Sequence, residues 1–567
     1  MSNSLEKSRV RFLLGGVIFV VLILIGKLYL LQIVHNKSFE DKADRQYSRP
    51  SGNIFDRGSI LFTTKDGEHI DAATLKTGYN VTINPLNISE PADVYNNLSF
   101  VIDLDEEDYF DRATRENDTY EVIAKRINKD QAEKIQDASL KGVSVYKDRW
   151  RFYPGKELAS HLLGFVSFKG DELRGQYGLE RYYNDILEKK ENNLYANFFV
   201  EILTGIGDTI TGKDQTGSIV TSIEPTVQTF VEEEINSVRS HWGSRKAGVI
   251  VMNPKNGEIY AMALSPTFDL NDFSDVDNVS IFNNDLVENV YEMGSIVKPL
   301  TMAIGLDTDA VTPHTTYEDR GRMTLNGSTF GNYDGKARGV VDMQAVLNNS
   351  LNTGVAFVVQ RVGNEIFSDY MKKLLGEETG IDLPNEATPL VANLDSPRDI
   401  EHATASFGQG IAISPIAITR ALAALGNGGY LVDPHVVKEI RYDVGLTKEI
   451  KPNDPKQIFK EETSEEISRM LVTVVDDALG GGNVELKNHT IAAKTGTAQI
   501  ADGRGGYYDD RYLHSFFGYF PAFDPQFIVF LYNFEPNGAQ YASQTLTDPF
   551  LNIAKFLINY YEIPPDR

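Results

Sequence analysis

Ser295 and Lys298 stand three residues apart in the run Gly294-Ser295-Ile296-Val297-Lys298, at the opening of an apolar stretch. On a helix that offset puts both side chains on one face. The amine of Lys298 then lies within reach of the Ser295 hydroxyl and takes its proton, provided burial or a neighbouring cation lowers the lysine pKa. The first turn of a helix adds unpaired N–H groups and positive potential, which favour an alkoxide or oxyanion. The chain has no cysteine, so a covalent nucleophile is Ser, Thr, Lys or a carboxylate. The same absence excludes disulfide scaffolds, zinc–thiolate sites and iron–sulfur clusters.

The pair alone is not distinctive. Ser-x-x-Lys recurs at Ser4/Lys7 and Ser144/Lys147. Ser-x-Asn occurs at Ser51/Asn53 and Ser350/Asn352, and Lys-Thr-Gly at Lys76-Thr77-Gly78 and Lys494-Thr495-Gly496. Topology separates the copies. Residues 12–34 form an apolar run interrupted by Lys27 alone among charged residues. At about 1.5 Å per residue this run spans roughly 34 Å, enough for a bilayer core, with Lys27 snorkelling toward the headgroups. Lys7, Arg9 and Arg11 precede it against Glu6, so residues 1–11 are expected in the cytoplasm and the remainder outside. A cleaved signal peptide fits less well, because the run is long and no small-x-small site follows. Ser4 and Lys7 are thus parted from Ser51 and Lys76 by the membrane.

The elements that position the second set are readable from periodicity. Residues 217–223 alternate as a strand, and 225–242 form an amphipathic helix with Pro near its start. Residues 247–253 and 258–264 are apolar strands joined through Asn256-Gly257, a hairpin signal. Helices are expected over 295–307, 342–363, 414–426 and 464–478, strands over 490–500, 514–520 and 527–534, and a closing helix over 546–561. Ser295 opens a helix, Ser350 falls at a break within one, and Lys494 rides on a strand. Early and late strands with helices between them predict one antiparallel sheet layered with helices. Residues 37–216 read as an irregular α+β region. The acidic run 103–118 lacks the glycine and ligand spacing of a calcium loop and reads as a solvated face.

Ser-x-x-Lys, Ser-x-Asn and Lys-Thr-Gly together are the signature of penicillin-binding proteins and class A β-lactamases. Beyond those motifs the chain resembles class B penicillin-binding proteins, single-pass transpeptidases of bacterial cell-wall synthesis. Arg49 with Ile54-Phe55-Asp56-Arg57-Gly58 is similar to the family's first pedestal motif. Arg151-Phe152-Tyr153-Pro154-Gly155, with Ala159, His161 and Gly164-Phe165, is similar to the second, and Gly175-Gln176-Tyr177-Gly178-Leu179-Glu180 with Tyr182 to the third. Ser406-Phe407-Gly408-Gln409-Gly410 and Asn427-Gly428-Gly429 follow the family pattern as well. Met293 replaces the proline usual before Gly-Ser, Leu351 replaces a serine, and Pro50-Ser51 stands where one glycine is usual. None of these removes a functional atom.

The resemblance implies an α+β chain in four parts: a cytoplasmic tail (1–11), one transmembrane helix (12–34), a pedestal of dimerisation type (35–216), and a transpeptidase domain (217–567) built on a five-stranded antiparallel sheet. It implies that Ser295 attacks the penultimate D-alanine carbonyl of a peptidoglycan stem peptide while Lys298 manages its proton. Ser350 and Asn352 relay protons and hold the substrate amide. Lys494 and Thr495 bind a carboxylate, Gly496 lets a substrate backbone approach the strand, and the N–H groups of Ser295 and Thr497 form the oxyanion hole. An amine of a second stem then resolves the acyl-enzyme. β-Lactams imitate the D-alanyl-D-alanine end. No metal or organic cofactor is implied. The implied partner is a polytopic glycosyltransferase of the SEDS family, and Gly164-Phe165 points toward a division-type member.

Three motifs do not separate a transpeptidase from a serine β-lactamase or D,D-carboxypeptidase, which share the first half-reaction; the large pedestal favours synthesis. A silent scaffold is disfavoured by the intact Ser295, Lys298, Ser350, Asn352 and Lys494. His161, His402 and His514 are expected to be structural, as are Asp56 and Arg57 although they could look like a catalytic charge pair, and Tyr507, Tyr508 and Tyr512 are candidates for the acceptor side with no preference over an ordinary packing role. Net charge is −25 over 567 residues, which disfavours nucleic acid as a partner. Residues 1–34 carry +3, leaving −28 on the remainder. A carboxylate ligand therefore needs a local positive pocket, supplied by Lys298 and Lys494.

Overall fold

The computed structural model describes residues 55–567 apart from 117, 170–171, 190–215, 275, 277, 482–483 and 485. The apolar run 12–34 lies outside the described residues. Among those described, no helix is long and apolar enough to cross a membrane. Chain contacts define two compact units. The larger comprises Arg57–Leu75 with Arg151–Arg567, and the smaller contains Lys76–Trp150. This partition follows compactness and does not coincide with the boundary expected at 216/217.

The centre of the larger unit is a five-stranded antiparallel sheet. Helix α1 (Pro225–Trp242) leads into it. Its strands are β1 (Lys246–Met252), β2 (Ile259–Ser265), β3 (Ala492–Ala501), β4 (Tyr507–Phe520) and β5 (Phe527–Phe534), in the order β3-β4-β5-β1-β2. Phe516 pairs with Leu531, Phe530 with Ile250, and Ile250 with Met262. Side chains alternate across the sheet, so Val249, Val251, Phe516 and Leu531 enter one core while Ile250, Met252, Phe517 and Phe530 enter the other. The first core is roofed by α1 and by the closing helix α6 (Ala542–Tyr560), through Val227, Val231, Ile235, Leu546, Phe550 and Leu557. The ends of α1 are set chemically. The Glu224 carboxylate accepts the Val227 N–H at 2.7 Å, Pro225 occupies the first turn, and Gly243 ends it at φ +54°.

The other face carries the helices between the two halves of the sheet. A 3₁₀ turn (Gly294–Val297) runs into α2 (Lys298–Asp307). Helices α3 (Met343–Asn348) and α4 (Asn352–Val362) replace the single stretch expected over 342–363, broken around Ser350 at φ +51°. Helix α5 (Glu461–Thr473) continues through a wider turn over Val474–Ala478.

One expectation is corrected. The strand Gly217–Thr221 does not join the sheet of β1–β5. It pairs in parallel with Ile60–Thr63 (Ile60 to Ile219) and antiparallel with Val437–Tyr442, a strand the periodicity did not reveal. Alternation identifies a half-buried strand without naming its partner. Here the partner is fixed by close approach, since a Cβ on Gly58 would stand 1.7 Å from the Gly217 carbonyl oxygen.

The three pedestal-type motifs converge in this unit on one buried carboxylate. Glu180 is paired with Arg57 at 2.6 Å and with Arg151 at 2.5 Å, and accepts from the Tyr153 hydroxyl at 3.1 Å. Burial pushes the Glu180 pKa up, but Arg151 and Arg57 overcome it and the net shift is downward. Arg57 is thus structural, as expected.

In the smaller unit, the later part of the strand His69–Ile83 pairs antiparallel with Glu121–Ile127, Val81 opposite Ala124. The helices Pro91–Ser99, Glu106–Ala113 and Lys129–Asp137 bury Val94, Leu98, Tyr109 and Ile135 against it. The acidic run forms a solvated face. Asp105 caps its helix by accepting the Asp108 N–H, and Glu106 and Glu107 are exposed.

Candidate active site

Ser295, Ser350, Asn352, Lys494, Thr495 and Thr497 line one cleft of about 630 Å³ in the larger unit, beside the edge strand β3. Segments separated by more than fifty residues therefore meet as the motif reading expected. Among the described residues of the first copies, Ser144, Lys147 and Lys76-Thr77-Gly78 do not line this cleft, and Ser4, Lys7, Ser51 and Asn53 lie outside the described residues.

The Ser295 turn is tighter than an α-helix. It is a 3₁₀ turn that ends at Val297, with Lys298 opening the α-helix that follows, and the Lys298 amine hydrogen-bonds to Ser350. Gly294 makes the turn possible. It has φ +64°, donates its N–H to the Gly408 carbonyl at 3.2 Å, and leaves 2.8 Å between a would-be Cβ and the Thr497 carbonyl oxygen. Met293, which stands where the family has proline, is buried. The Ser295 N–H belongs to the first turn, which has no intrahelical acceptor.

Lys298 is fully buried. Its Nζ lies 2.5 Å from the Ser350 carbonyl oxygen and 3.1 Å from Ser350 Oγ. Lys494 Nζ lies 3.1 Å from the same Oγ and 3.1 Å from the Thr495 carbonyl oxygen. Two ammonium groups on one hydroxyl would repel. Burial first, and then the Lys494 charge, hold Lys298 well below the usual lysine range. Burial alone brings Lys494 down to about 8. The hydroxyl of Ser350 thus stands between two amines that are both shifted toward the neutral form, Lys298 for two reasons and Lys494 for one. Asn352 opens α4 and donates its amide to the Gly331 carbonyl at 2.8 Å.

Strand β3 presents a free edge to the cleft. The Thr495 carbonyl meets Lys494 and the Thr497 carbonyl faces Gly294. In an antiparallel strand a residue's N–H and C=O point the same way, so the Thr497 N–H also faces outward from the sheet. The Thr497 hydroxyl accepts the Ala542 N–H at 3.0 Å, which ties the start of α6 to the cleft wall.

Gly496 is a correction. It was expected to admit a substrate backbone, but its bare Cα faces inward. A Cβ there would stand 2.4 Å from Ser515 Oγ, 2.8 Å from the Met293 carbonyl oxygen and 3.0 Å from Ile296. The glycine lets the Ser295 turn pack on β3. Alternation along the strand explains it: Lys494, Gly496 and Ala498 share the more buried side of the strand, from which the Lys494 amine still reaches Ser350 in the cleft, and Thr495 and Thr497 the less buried side.

The histidines are structural, as expected. His161 Nε2 bonds to the Ile281 carbonyl at 2.9 Å, His402 Nε2 to the Ser396 carbonyl at 2.7 Å, and His514 Nδ1 to Thr545 Oγ1 at 2.9 Å. Burial lowers His161 and His514 to about 4. Tyr512 lines the cleft, whereas Tyr507 donates to Glu292 at 3.1 Å and the ring of Tyr508 lies 4.2 Å from the Arg511 guanidinium. Sequence reasoning missed the two cleft residues Tyr333 and Tyr541, whose rings meet edge to face at 5.8 Å. It also missed the Gly331 carbonyl. Neither tyrosine sits in a motif, and a backbone carbonyl carries no sequence signal.

Comparison with known proteins follows the same lines. The family model for the penicillin binding protein transpeptidase domain matches residues 247–555, and that for the penicillin-binding protein dimerisation domain matches residues 52–195. Stage V sporulation protein D of Bacillus subtilis is 31% identical over 562 residues, covering 97% of this chain and 85% of that protein. Peptidoglycan D,D-transpeptidase FtsI of Buchnera aphidicola is 25% identical, covering 100% of this chain and 97% of its own. In fold, penicillin binding protein 3 of Mycobacterium tuberculosis, solved with aztreonam bound, superposes with a TM-score of 0.68 at 21% identity, covering 91% of this chain and 98% of that one. The chain belongs to the class B penicillin-binding proteins, the D,D-transpeptidases of bacterial cell-wall synthesis.

Proposed function

We propose that this transpeptidase crosslinks peptidoglycan stem peptides through an acyl-enzyme on Ser295, with Lys298, Ser350, Asn352 and Lys494 as its catalytic set. The observation that carries the reading is the shared hydroxyl: both lysines approach Ser350 Oγ at 3.1 Å, in the cleft that Ser295 enters. Lys298, whose pKa is lowered by burial and then by the Lys494 charge, accepts the Ser295 proton as Oγ attacks the penultimate D-alanine carbonyl. The N–H groups of Ser295 and Thr497 receive the oxyanion. The proton passes through Ser350 to the departing nitrogen, the peptide bond breaks, an ester forms, and terminal D-alanine leaves. Lys494 with Thr495 holds its carboxylate, and Asn352 orients the donor amide. An amine of a second stem then attacks the ester, forming the crosslink and restoring Ser295.

Residues 12–34 supply a single membrane anchor in this reading, with residues 1–11 cytoplasmic and the catalytic domain outside. Residues 35–216 serve as pedestal and dock a SEDS-type glycosyltransferase, while 217–567 carry the chemistry. Gly164-Phe165 supports a role in division.

The test is product analysis on a pentapeptide stem with an amine-bearing acceptor stem. A crosslinked dimer with one D-alanine released per crosslink supports the reading. Tetrapeptide alone shows that water resolves the ester, and assigns a D,D-carboxypeptidase instead.

A further inference from the structure

Behind the catalytic cleft lies a buried carboxylate that the reaction does not use. Asp319 ends the strand Thr316–Asp319 and is 1% exposed. Its oxygens accept from the Gly321 N–H at 3.0 Å, the Arg338 N–H at 3.0 Å, Asn332 Nδ2 at 3.0 and 3.1 Å, and Thr353 Oγ1 at 2.8 Å. The Asn332 side-chain oxygen Oδ1 in turn accepts from the Thr353 N–H at 3.3 Å and from Thr353 Oγ1 at 3.1 Å.

The consequence lies one residue away on each side. Gly331 precedes Asn332 and Asn352 precedes Thr353, and these two neighbours are themselves joined, Asn352 Nδ2 to the Gly331 carbonyl at 2.8 Å. Two consecutive clasps therefore fasten the 331–332 segment to the start of α4, and Asp319 anchors the inner one. Ser350 lies just upstream in a left-handed backbone conformation, φ +51°, which is unfavourable for a residue with a Cβ. Such a conformation persists only where both flanks are fixed. Helix α3 fixes one flank, with the Leu351 N–H bonded to the Val346 carbonyl at 2.9 Å. The Asp319 clasp fixes the other.

We propose that Asp319 is a positioning residue for the transpeptidase reaction, holding Ser350 between the two lysine amines and Asn352 at the cleft wall through Thr353 and Asn332. This rests on the active-site reading above and adds to it a group that touches neither substrate nor lysine. A carboxylate is suited to the task because it is acceptor-only and faces donors alone here. Asp319→Asn places an NH₂ against those donors at nearly unchanged volume. Thr353→Val removes the hydroxyl and keeps the branched shape, and Thr353→Ser keeps the hydroxyl.

The experiment uses the full-length chain in detergent and a fluorescent penicillin, with the acylation constant followed from about pH 5 to about pH 10. Asp319→Asn and Thr353→Val are expected to label to completion but about 10- to 100-fold more slowly. Their alkaline limb shifts, because Ser350 Oγ no longer separates the two amines. Thr353→Ser keeps the wild-type rate and profile. A purely structural role lowers melting temperature and moves neither. Thr353→Val acylating at the wild-type rate with an unchanged profile overturns the proposal, as does Thr353→Ser as slow as Thr353→Val. If Asp319→Asn does not fold, the Thr353 pair decides. Failure of the underlying reading shows separately, as label retained by Ser295→Ala.

Discussion

Lys298 and Lys494 reach the same atom from different elements. Lys298 comes from the start of α2 and Lys494 from β3, and each Nζ stops 3.1 Å from Ser350 Oγ. The two amines are unequal. Lys298 is lowered by burial and then by the charge of Lys494, while Lys494 is lowered by burial alone, to about 8. Burial is thus the larger cause of the Lys298 shift, and the charge of Lys494 adds to it in the same direction.

That coupling sets the pH dependence. Lys298 must be neutral to accept a proton, so acylation falls as pH drops through its depressed pKa. Lys494 must be charged to hold a carboxylate, so affinity falls as pH rises through about 8. A bell-shaped profile is expected, the alkaline limb residing in KM. Lys494→Ala removes that limb and also the charge that depresses Lys298, so the acid limb moves to higher pH. Loss of the charge-assisted carboxylate contact costs roughly 1.5–3 kcal/mol, about 10- to 100-fold in the acylation constant. Stopped-flow acylation across pH checks both limbs.

Gly496→Ala distinguishes packing from substrate approach. The added methyl meets the Met293 carbonyl oxygen at 2.8 Å, which is backbone and cannot swing away. Overpacking of this kind costs about 1–3 kcal/mol. The melting temperature of the free protein should fall with no ligand present, and acylation should fall with it as the Ser295 turn is pushed off β3. An unchanged melting temperature with weakened ligand binding would restore the substrate-approach explanation.

Glu180 governs stability away from the cleft. It joins three motif segments through Arg57, Arg151 and Tyr153. Glu180→Leu leaves two guanidinium groups buried without their carboxylate, at about 3–5 kcal/mol. The folded pKa of Glu180 lies below its unfolded value, so its contribution is present above the ordinary carboxylate range and is lost as pH falls through the folded value. Denaturant titrations at neutral and acidic pH should show the wild-type advantage over Glu180→Leu shrinking with acid.

The active-site motifs were legible because each joins a chemical type to a local spacing. The strands β1, β2 and β5 and the helix α1 were legible because their periods are clean and their ends carry Pro, Gly or Asn-Gly. Long-range pairing was not: Gly217–Thr221 reads as a strand in any sheet, and its partner is chosen by a glycine–glycine approach at Gly58. The role of Gly496 was misread because the motif says that a side chain is missing but not which face it is missing from. Asp319 was silent, a lone acid on a short strand whose donors come from positions 321, 332, 338 and 353.

The central claim is that Ser295 is the acylated residue. Full-length protein and its Ser295→Ala variant, matched for folding by melting temperature, are incubated with a fluorescent penicillin and followed by intact mass. The wild type is expected to gain one penicilloyl group, mapped to the peptide carrying Ser295, and the variant none. Equal labelling of the variant, or no labelling of the wild type, would contradict the account.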